Sequence, residues 1–398
     1  MQICHFYKNF YPAWVGGIET LISLTSNFLS NYDSNLQFCL VTDRQYILPL
    51  LHKGFPKCQY YGNLEVFRLG PNVPKIVLFA LQYRAIVPER KLTKLHRVAI
   101  NQLFLEAAKI KKVREANVLH LHGLWDTEYE ELALRLSDAF AIPLILHLHG
   151  TYLPSGEAMA PPNATGKAIL EKSNAIVVNN MNVFEKLKEW KLEKKAYLIP
   201  NGVDIEKFGV KGRNLREKGF NIAFIGRLSP IRDPLTAIYA FKILLKKIPD
   251  AKMHIAGNGP LEDTVRRLVL QLDLGGSVVI YGSRMDIDRI LKKSDVFWAT
   301  SNITNYPSMS LLEALASSLP VVATDIGLTR ELIVDRQNGL LVSPGNPSEL
   351  ADATKEILTD DTLRNFLSIN ARATAEKYDF RKICPRIAEL YYSVSKKR

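Results

Sequence analysis

Two arginines in the second half of the chain have the chemistry and the spacing of a diphosphate site. Gly226 and Arg227 directly follow a predicted strand, and Arg232 comes five residues later. Two guanidinium groups at the end of a strand, with a glycine that leaves room beside them, suit the oxygens of a diphosphate. The alternative is that both are surface arginines that pair with acids such as Asp233.

A candidate helix that begins after Pro307 offers a second set of polar groups. A helix that starts there leaves the backbone N–H groups of Ser308, Met309 and Ser310 without partners inside the helix, and its dipole favours an anion. Glu313 lies about one turn further along. A carboxylate there can accept hydrogen bonds from both hydroxyls of a ribose, as acidic residues do in dinucleotide folds. The alternative is an acid that only complements the helix dipole.

In the first half of the chain, Gly16 and Gly17 lie between the N-terminal strand and a predicted helix. Glycines let backbone N–H groups approach a phosphate closely, and the start of the helix adds partial positive charge. Because a pair of glycines is a weak pattern by itself, a plain turn into the helix is the alternative.

Two strands of the first half end in the same His-Leu-His-Gly pattern, at residues 120–123 and 147–150. Alternation along a strand puts His147 and His149 on one face, with His149 at the tip, where it can donate a hydrogen bond to a sugar hydroxyl or a carbonyl. Nothing near these histidines supplies the carboxylate or the closed geometry usual for zinc, so we predict no metal site. We expect His120 and His147 to be hydrogen-bonded residues of the core.

The pattern around these residues predicts an α/β protein built on two parallel sheets, in which ligands bind outside the carboxyl ends of the strands. Short apolar runs alternate with amphipathic segments, as in βαβ units. The strands predicted in the first half are Gln2–Tyr7, Leu36–Val41, Leu64–Leu69, Asn117–Leu121, Pro143–Leu148, Ala175–Asn179 and Ala196–Ile199. Those predicted in the second half are Asn221–Ile225, Lys252–Ala256, Ser277–Tyr281, Val296–Ala299, Pro320–Ala323 and Gly339–Val342. Helices are predicted at Ile18–Leu29, Thr127–Leu136, Asn182–Trp190 and Phe380–Val394.

The length of 398 residues predicts two domains, because one core of that size would be too large. The Pro-Asn-Gly turn within residues 200–204 and the polar stretch behind it are typical of a hinge. We therefore predict an N-terminal domain at 1–204, a C-terminal domain at 205–379 and a last helix within 380–398. That helix either packs on the second domain or crosses back to the first.

The net charge of +12 indicates a polyanionic partner: a phosphorylated substrate, a membrane surface or a nucleic acid. Residues 75–114 hold ten Lys or Arg against two acids, with apolar residues between them, and such a segment can lie on an anionic membrane. A solvated helix pair packed on the first domain is the alternative. We expect no nucleic acid partner, because the glycine-rich strand ends favour a small ligand.

The chain shows no apolar run of membrane-spanning length and no signal-peptide pattern at its start. Its four cysteines are far apart, as expected of reduced thiols. We therefore expect a cytoplasmic protein that makes peripheral contact with the inner face of the cell membrane.

Taken in order along the chain, these motifs resemble those of the GT-B retaining glycosyltransferases of family 4. The resemblance spans nearly the whole chain. The segments that carry it are Gly16-Gly17-Ile18-Glu19, His149-Gly150, Ile199-Pro200-Asn201-Gly202-Val203-Asp204, Gly226-Arg227-Leu228, Gly257-Asn258-Gly259-Pro260, Ser294-Asp295-Val296, Leu312-Glu313-Ala314-Leu315-Ala316 and Pro320-Val321-Val322-Ala323-Thr324.

The resemblance implies a GT-B fold, in which two Rossmann-like, doubly wound domains face a central cleft and the last helix returns to the first domain. It implies transfer of a hexose from a UDP-, GDP- or ADP-sugar, bound mostly to the second domain, to a hydroxyl of a glycan or lipid-linked acceptor, without a metal or other cofactor. By the same resemblance, Arg227 holds the diphosphate and Glu313 the ribose hydroxyls. His149 contacts the transferred sugar, and Gly16 and Gly17 close over the diphosphate.

Two further positions at the implied catalytic site depart from the family pattern. Arg232 stands where the family has a lysine, which keeps the charge but changes its geometry. Asn305 stands where the family has the first of two glutamates, so it can bond a sugar hydroxyl but offers no negative charge to an oxocarbenium ion. These departures keep open a GT-B nucleotide-binding subunit with impaired catalysis. A GT-B sugar-nucleotide epimerase is a third alternative, which the Glu313 helix disfavours.

Overall fold

The computed structural model describes residues 1–7, 17–43, 58–69, 89–123, 128–149, 164–209, 219–304, 306 and 308–396. The chain forms two compact units. One contains the N-terminal strand, Ile18–Pro200 and Cys384–Arg398, and the other contains Asn201–Ile383. Each unit is built on one sheet, and helices connect most of its successive strands, so the predicted α/β class with two doubly wound, Rossmann-like domains is confirmed.

Within the described residues, the sheet of the first unit has eight strands in the order β3-β4-β2-β1-β5-β6-β7-β8. Its strands are β1 (Gln2–Phe6), β2 (Gln37–Asp43), β3 (Cys58–Tyr61), β4 (Leu64–Leu69), β5 (Val118–His122), β6 (Leu144–Leu148), β7 (Ala175–Val178) and β8 (Ala196–Leu198). All neighbours pair in parallel except β3, an antiparallel edge strand that the sequence did not predict. The interior strands β5 and β6 are buried along their whole length, including the histidines that interrupt their apolar residues.

In the part of the second unit that the structure describes, the sheet has six parallel strands in the order β11-β10-β9-β12-β13-β14. They are β9 (Asn221–Ile225), β10 (Lys252–Ala256), β11 (Val278–Ile280), β12 (Val296–Ala299), β13 (Val321–Thr324) and β14 (Gly339–Val342). Successive residues of β9 serve opposite faces. Ile222 and Phe224 pack in one hydrophobic cluster, while Ala223 packs in another. The two faces of this sheet therefore carry separate cores, as the period of two along a strand requires.

Helices cover both sheets. Those before residue 201 are α1 (Gly17–Tyr32), α2 (Glu89–Lys109), α3 (Lys111–Arg114), α4 (Glu128–Phe140), α5 (Ala164–Lys172) and α6 (Met181–Glu189). Those after it are α7 (Pro234–Lys247), α8 (Glu262–Gln271), α9 (Ile287–Lys293), α10 (Met309–Ala316), α11 (Pro347–Thr359), α12 (Asp361–Ala375) and α13 (Phe380–Ser395). Among the helices within the described residues, none is long and apolar enough to cross a membrane.

The C-terminal helix α13 contributes to both units. Its residues up to Ile383 belong to the second unit, and those from Cys384 belong to the first. In the first unit, the Tyr391 hydroxyl lies 2.7 Å from His120 Nδ1, and the Tyr392 hydroxyl donates to the Asp33 carboxylate at 2.6 Å. The first contact attaches the end of the chain to the sheet that carries the histidines, and the second attaches it to the residue that follows α1.

Candidate functional site

The loops that follow β9 and β10 approach each other so closely that glycines are required between them. A Cβ added at Gly257 would collide with the carbonyl oxygen of Gly226, and one at Gly259 would collide with that of Leu228. Both positions also have positive φ angles, 141° and 156°, which residues with a Cβ rarely adopt. The Leu228 N–H donates to the carbonyl of Asn258 at 2.8 Å. The glycine-rich turn after β10 thus fixes the loop that carries both candidate arginines.

The two arginines of that loop differ in environment. A Cβ at Gly226 would meet no atom within 4 Å, and the neighbouring Arg227 is exposed. Arg232 is half-buried, and desolvation lowers the pKa of its guanidinium. The carbonyl of Thr304, 3.5 Å from Nη1, is the only hydrogen-bond partner of that guanidinium among the described residues.

The predicted alternative of an ion pair between Arg232 and Asp233 does not occur, because the Asp233 carboxylate caps α7. It accepts hydrogen bonds from the backbone N–H and the hydroxyl of Thr236, at 3.1 and 2.6 Å. Within the described part of the chain, Arg232 therefore has no carboxylate partner. A half-buried cation without a counter-ion favours an anionic ligand.

The loop with Arg232 lies against the segment that follows β12. The Thr300 hydroxyl donates to the carbonyl of Arg232 at 2.9 Å. Further along the same segment, the Thr304 hydroxyl donates to the carbonyl of Tyr306 at 3.1 Å. The segment that holds the Arg232 loop is thus the one that leads into α10.

Helix α10 begins where the sequence predicts it, with Ser308 as the N-cap and Met309 as the first helical residue. The Ser308 side chain makes no capping bond; its Oγ lies 3.1 Å from the Oγ of Ser310. Every residue of the helix except Ser310 is buried. The helix is therefore fixed by the core, and the N–H groups of its first turn have no partners within the helix.

Glu313 is a buried carboxyl in the middle of α10, with 3% of its surface exposed. Burial raises its pKa to about 7; the Lys207 charge acts to lower that pKa, and the Asp288 charge to raise it. The acid lies beyond the first turn, so the helix dipole does not explain its presence. A carboxyl with a pKa raised by burial is typical of functional sites. No sequence pattern pointed to Lys207, because its proximity to Glu313 depends on the packing of distant segments.

Five histidines on three neighbouring strands of the first unit form a cluster that the sequence predicted only in part. They are His5 on β1, His120 and His122 on β5, and His147 and His149 on and after β6. His5 Nδ1 lies 2.8 Å from His122 Nε2, and His122 Nδ1 lies 2.8 Å from His149 Nε2. His5 Nε2 is 3.3 Å from the Ser26 hydroxyl. The four side chains form one hydrogen-bonded chain, which ends at His149.

The other two histidines of the cluster have different partners. His120 bonds Tyr391, so the prediction of a hydrogen-bonded core residue is confirmed there. For His147 it is wrong: neither ring nitrogen has a hydrogen-bond partner among the described residues. Its ring instead stacks on that of His149, with centroids 3.9 Å apart. His122, which is paired with His147 in the register of β5 and β6, already has both nitrogens in hydrogen bonds.

Desolvation lowers the pKa of every imidazole in the cluster. Desolvation is the main cause that lowers the pKa of His5 and His149 to about 3. It also holds the pKa values of His120, His122 and His147 well below the ordinary 6.5, and the charges of neighbouring histidines add to the effect. A neutral imidazole donates one hydrogen bond and accepts one. Each imidazole inside the hydrogen-bonded chain from Ser26 to His149 does both.

Some of the histidine nitrogens lie close enough together to be considered as ligands of one metal ion. Two triads have ligand atoms within 4.8 Å of one another; these are His5, His120 and His122, and His122, His147 and His149. Hydrogen bonds at 2.8 Å account for the closest nitrogen pairs. The planes of His147 and His149 differ by only 25°, so their in-plane lone pairs run side by side rather than towards one point. This geometry suits hydrogen-bonded imidazoles better than a tetrahedral ion.

Some predicted positions lie outside the described residues. These are Gly16, Gly150, Asn305, Pro307 and the 75–88 part of the basic segment. Gly17 is described as the first residue of α1. The roles predicted for these residues stay predictions.

Comparison with known families identifies the chain. A family described as "Glycosyl transferases group 1" matches residues 204–374, and "Glycosyltransferase Family 4" matches residues 66–207. The chain belongs to the family 4, or group 1, glycosyltransferases. The first match contains the strand-end arginines and α10, and the second contains most of the histidine cluster.

Curated relatives of this glycosyltransferase act on lipid-linked substrates according to their names. The UDP-Gal:alpha-D-GlcNAc-diphosphoundecaprenol alpha-1,3-galactosyltransferase of Escherichia coli is 30% identical over 210 residues, which are 50% of this chain and 54% of that protein. The phosphatidyl-myo-inositol mannosyltransferase of Mycobacterium tuberculosis is 25% identical over 292 residues, 70% of this chain and 74% of that protein. The matched part thus spans about half of the first relative.

Solved structures share the fold over the whole chain. Sucrose-phosphate synthase from Thermosynechococcus elongatus has a TM-score of 0.74 at 18% identity and covers 100% of this chain, which covers 99% of it. Anabaena HepE, solved in complex with UDP and glucose, has a TM-score of 0.71 at 19% identity, with 99% and 100% coverage. These likenesses establish the GT-B fold of the glycosyltransferase.

Proposed function

We propose that this glycosyltransferase is a retaining hexosyltransferase that moves a sugar from a nucleotide diphosphate to a hydroxyl of a glycan or lipid-linked acceptor. The observation that carries the proposal is the arrangement in the second unit. There, Arg232, which has no carboxylate partner among the described residues, and the start of α10 are held by one segment, and Glu313 is buried one turn further on. This combination suits a diphosphate beside a ribose.

In the proposed reaction, Arg227 and Arg232 stabilise the charge that develops on the departing diphosphate. Preorganised cations in a partly desolvated site are effective at this task. The departing oxygen takes the proton of the acceptor hydroxyl on the same face of the sugar, so the anomeric configuration is retained. Neither a metal nor a protein base is required, and we expect turnover to persist in EDTA.

The acceptor proposed is lipid-linked, because the two relatives described above act on an undecaprenyl diphosphate and a phosphatidylinositol by name. The basic segment 75–114 supports contact with an anionic membrane. In its described part, Val98 and Leu105 are 57% and 59% exposed, and they lie seven residues apart on one face of α2. Arg97, beside them, is also exposed. A membrane on the cytoplasmic side is the proposed location.

The first test of the donor site is a thermal-shift screen of nucleotide diphosphates and their sugars without added metal. A shift with one nucleotide, lost in Glu313→Ala, is expected and would identify the base. Transfer to lipid and glycan acceptors is then measured with that donor, and NMR of the product reports the anomeric configuration. We expect Arg227→Ala to lower kcat by about 100-fold or more, as removal of one charge-stabilising donor does in other enzymes. The control is Arg266→Ala, an exposed arginine that pairs with Glu262 on α8.

Two outcomes would contradict the proposal. Equal turnover by Arg227→Ala and the parent would remove the assigned role of that arginine. Nucleotide binding without transfer to any acceptor would instead favour the non-catalytic GT-B subunit, with Asn305 as the leading cause.

The membrane contact is tested by flotation with vesicles that contain anionic lipid. Charge reversal of Lys91, Lys94 and Arg97 is expected to abolish binding, since each basic residue near the surface contributes about 1 kcal/mol. Reversal of Lys186 and Lys188 on α6 is the control. Unchanged flotation of the triple variant would show that α2 is a solvated helix.

A further inference from the structure

The chain of Ser26, His5, His122 and His149 couples the protons of four side chains. A neutral imidazole has one N–H and one lone pair, so each contact between two rings has one donor and one acceptor. If His149 Nε2 donates to His122, then His122 donates to His5 and His5 donates to Ser26. If Ser26 donates instead, every bond reverses and the proton of His149 lies on Nδ1. The chain thus permits two concerted states and excludes mixed ones.

The geometry leaves the rings of this chain little freedom to turn. Both nitrogens of His122 are in hydrogen bonds of 2.8 Å, so a flip of that ring would break two bonds in a buried site. The ring of His149 is held in its plane by the stack on His147. With Nε2 committed to His122, Nδ1 is the nitrogen that the bond leaves for a ligand.

We infer that His122 and His5 are positioning residues, which hold the ring of His149 in its orientation towards the transferred sugar and make its tautomer change only together with theirs. Nothing in the family comparisons assigns them this role. The inference rests on the proposed contact between His149 and the sugar for its effect on turnover, but not for the hydrogen bonds themselves. A second group that sets which nitrogen of a functional histidine carries the proton is a recurring device in active sites.

The hydrogen bonds between His5, His122 and His149 are tested directly on the wild-type protein labelled with ¹⁵N in histidine. Scalar coupling between the nitrogens of His5 and His122, and of His122 and His149, is expected, because N–H···N hydrogen bonds transmit it. The ¹⁵N shifts of His5, His122 and His149 are expected to report matching neutral tautomers between pH 6 and 8, all belonging to one direction of the hydrogen-bonded chain or exchanging together. Absence of these couplings, or a tautomer of His149 that varies independently of those of His5 and His122, would overturn the inference whether or not the protein transfers sugar.

Variants test the effect on the reaction. His122→Phe keeps a ring in the stack but removes both hydrogen bonds, and His147→Phe is the matched control, because its nitrogens have no partner among the described residues. We expect His122→Phe to lower kcat about 10-fold or more, the range found when the group that orients a functional imidazole is removed. Donor KM is expected to change little, and the tautomer of His149 is expected no longer to follow that of His5.

The remaining outcomes are equally decisive. An equal loss of kcat in both phenylalanine variants would mean that the cluster acts only through packing. One equivalent of zinc in the purified protein, lost in His122→Phe, would replace the hydrogen-bonded chain by a metal site. Failure of wild-type turnover with every acceptor would refute the proposed function alone, since the nitrogen couplings would still report the chain.

Discussion

The substitution Glu313→Gln should make the protein more stable at pH 8 and should weaken its binding of nucleotide. The pKa of buried Glu313 is about 7, against an ordinary value of 4.5. An acid whose pKa is raised in the folded state destabilises that state once it ionises, so stability falls as the pH rises from 4.5 and is fully reduced above 7. At about 1.4 kcal/mol per pH unit, the loss is about 3 kcal/mol. Glu313→Gln has the same shape and no charge to bury.

The assay is urea unfolding of the parent and of Glu313→Gln between pH 5 and 8. We expect a gain of about 3 kcal/mol in the free energy of unfolding at pH 8 and little difference at pH 5. Glu349→Gln is a control of opposite sign. Hydrogen bonds from Ser343 and Asn346 lower the pKa of that exposed acid, so its replacement should not stabilise the protein at any pH.

Nucleotide binding by the parent should depend on the same proton. At pH 6, about nine in ten Glu313 side chains are protonated if the pKa is about 7. A ribose that needs the carboxylate should therefore bind about 10-fold more weakly at pH 6 than at pH 8. A 2′-deoxy nucleotide should lose most of this dependence. A Glu313→Gln variant that is no more stable than the parent at pH 8, and that binds nucleotide as well, would refute the reasoning.

Three further changes test other parts of the structure. Tyr391→Phe leaves a buried nitrogen of His120 without a partner and should cost about 1–3 kcal/mol of unfolding free energy, whereas Tyr392→Phe, at a half-buried site, should cost less. Gly257→Ala should cost at least about 2 kcal/mol, because its Cβ meets the Gly226 carbonyl at a positive φ; Gly275→Ala, with no atom within 4 Å, should stay within about 0.5 kcal/mol. Lowering the pH from 6.5 to 5 should destabilise the first unit. Over that range the contribution of each neutral buried histidine to the free energy of unfolding falls by up to about 2 kcal/mol. Chemical denaturation at both pH values measures the change.

The strands could be predicted well where both faces of the sheet are buried. The predicted bounds of Asn221–Ile225 and Val296–Ala299 agree with the structure, since each is an apolar run between turn residues. Cys58–Tyr61 was missed because it is an antiparallel edge strand with alternating exposure. Its polar residues carry no apolar run, and its pairing with Leu64–Leu69 depends on the turn between them.

From the sequence, the candidate site could be predicted only for residues that lie at the end of a strand or near the start of a helix. The sequence placed Arg232, Glu313 and His149 at such ends. It gave no role to His5, because the register that sets β1 beside β5 is a long-range property. The same limit explains the error at His147, whose nitrogens depend on which neighbours are already engaged.

Burial makes the stability of the two units depend on pH in opposite directions. The histidine cluster must stay neutral, so its contribution is complete above pH 6.5 and falls as acid protonates the unfolded chain first. In the proposed donor site, Glu313 accepts hydrogen bonds from the ribose hydroxyls as a carboxylate. Its ionisation makes the second unit least stable above pH 7, where binding is expected to be strongest. Substrate binding should repay that loss, since a ligand that prefers the carboxylate stabilises the folded state by mass action. The nucleotide should therefore raise the melting temperature more at pH 8 than at pH 6, and a larger shift at pH 6 would separate Glu313 from the donor site.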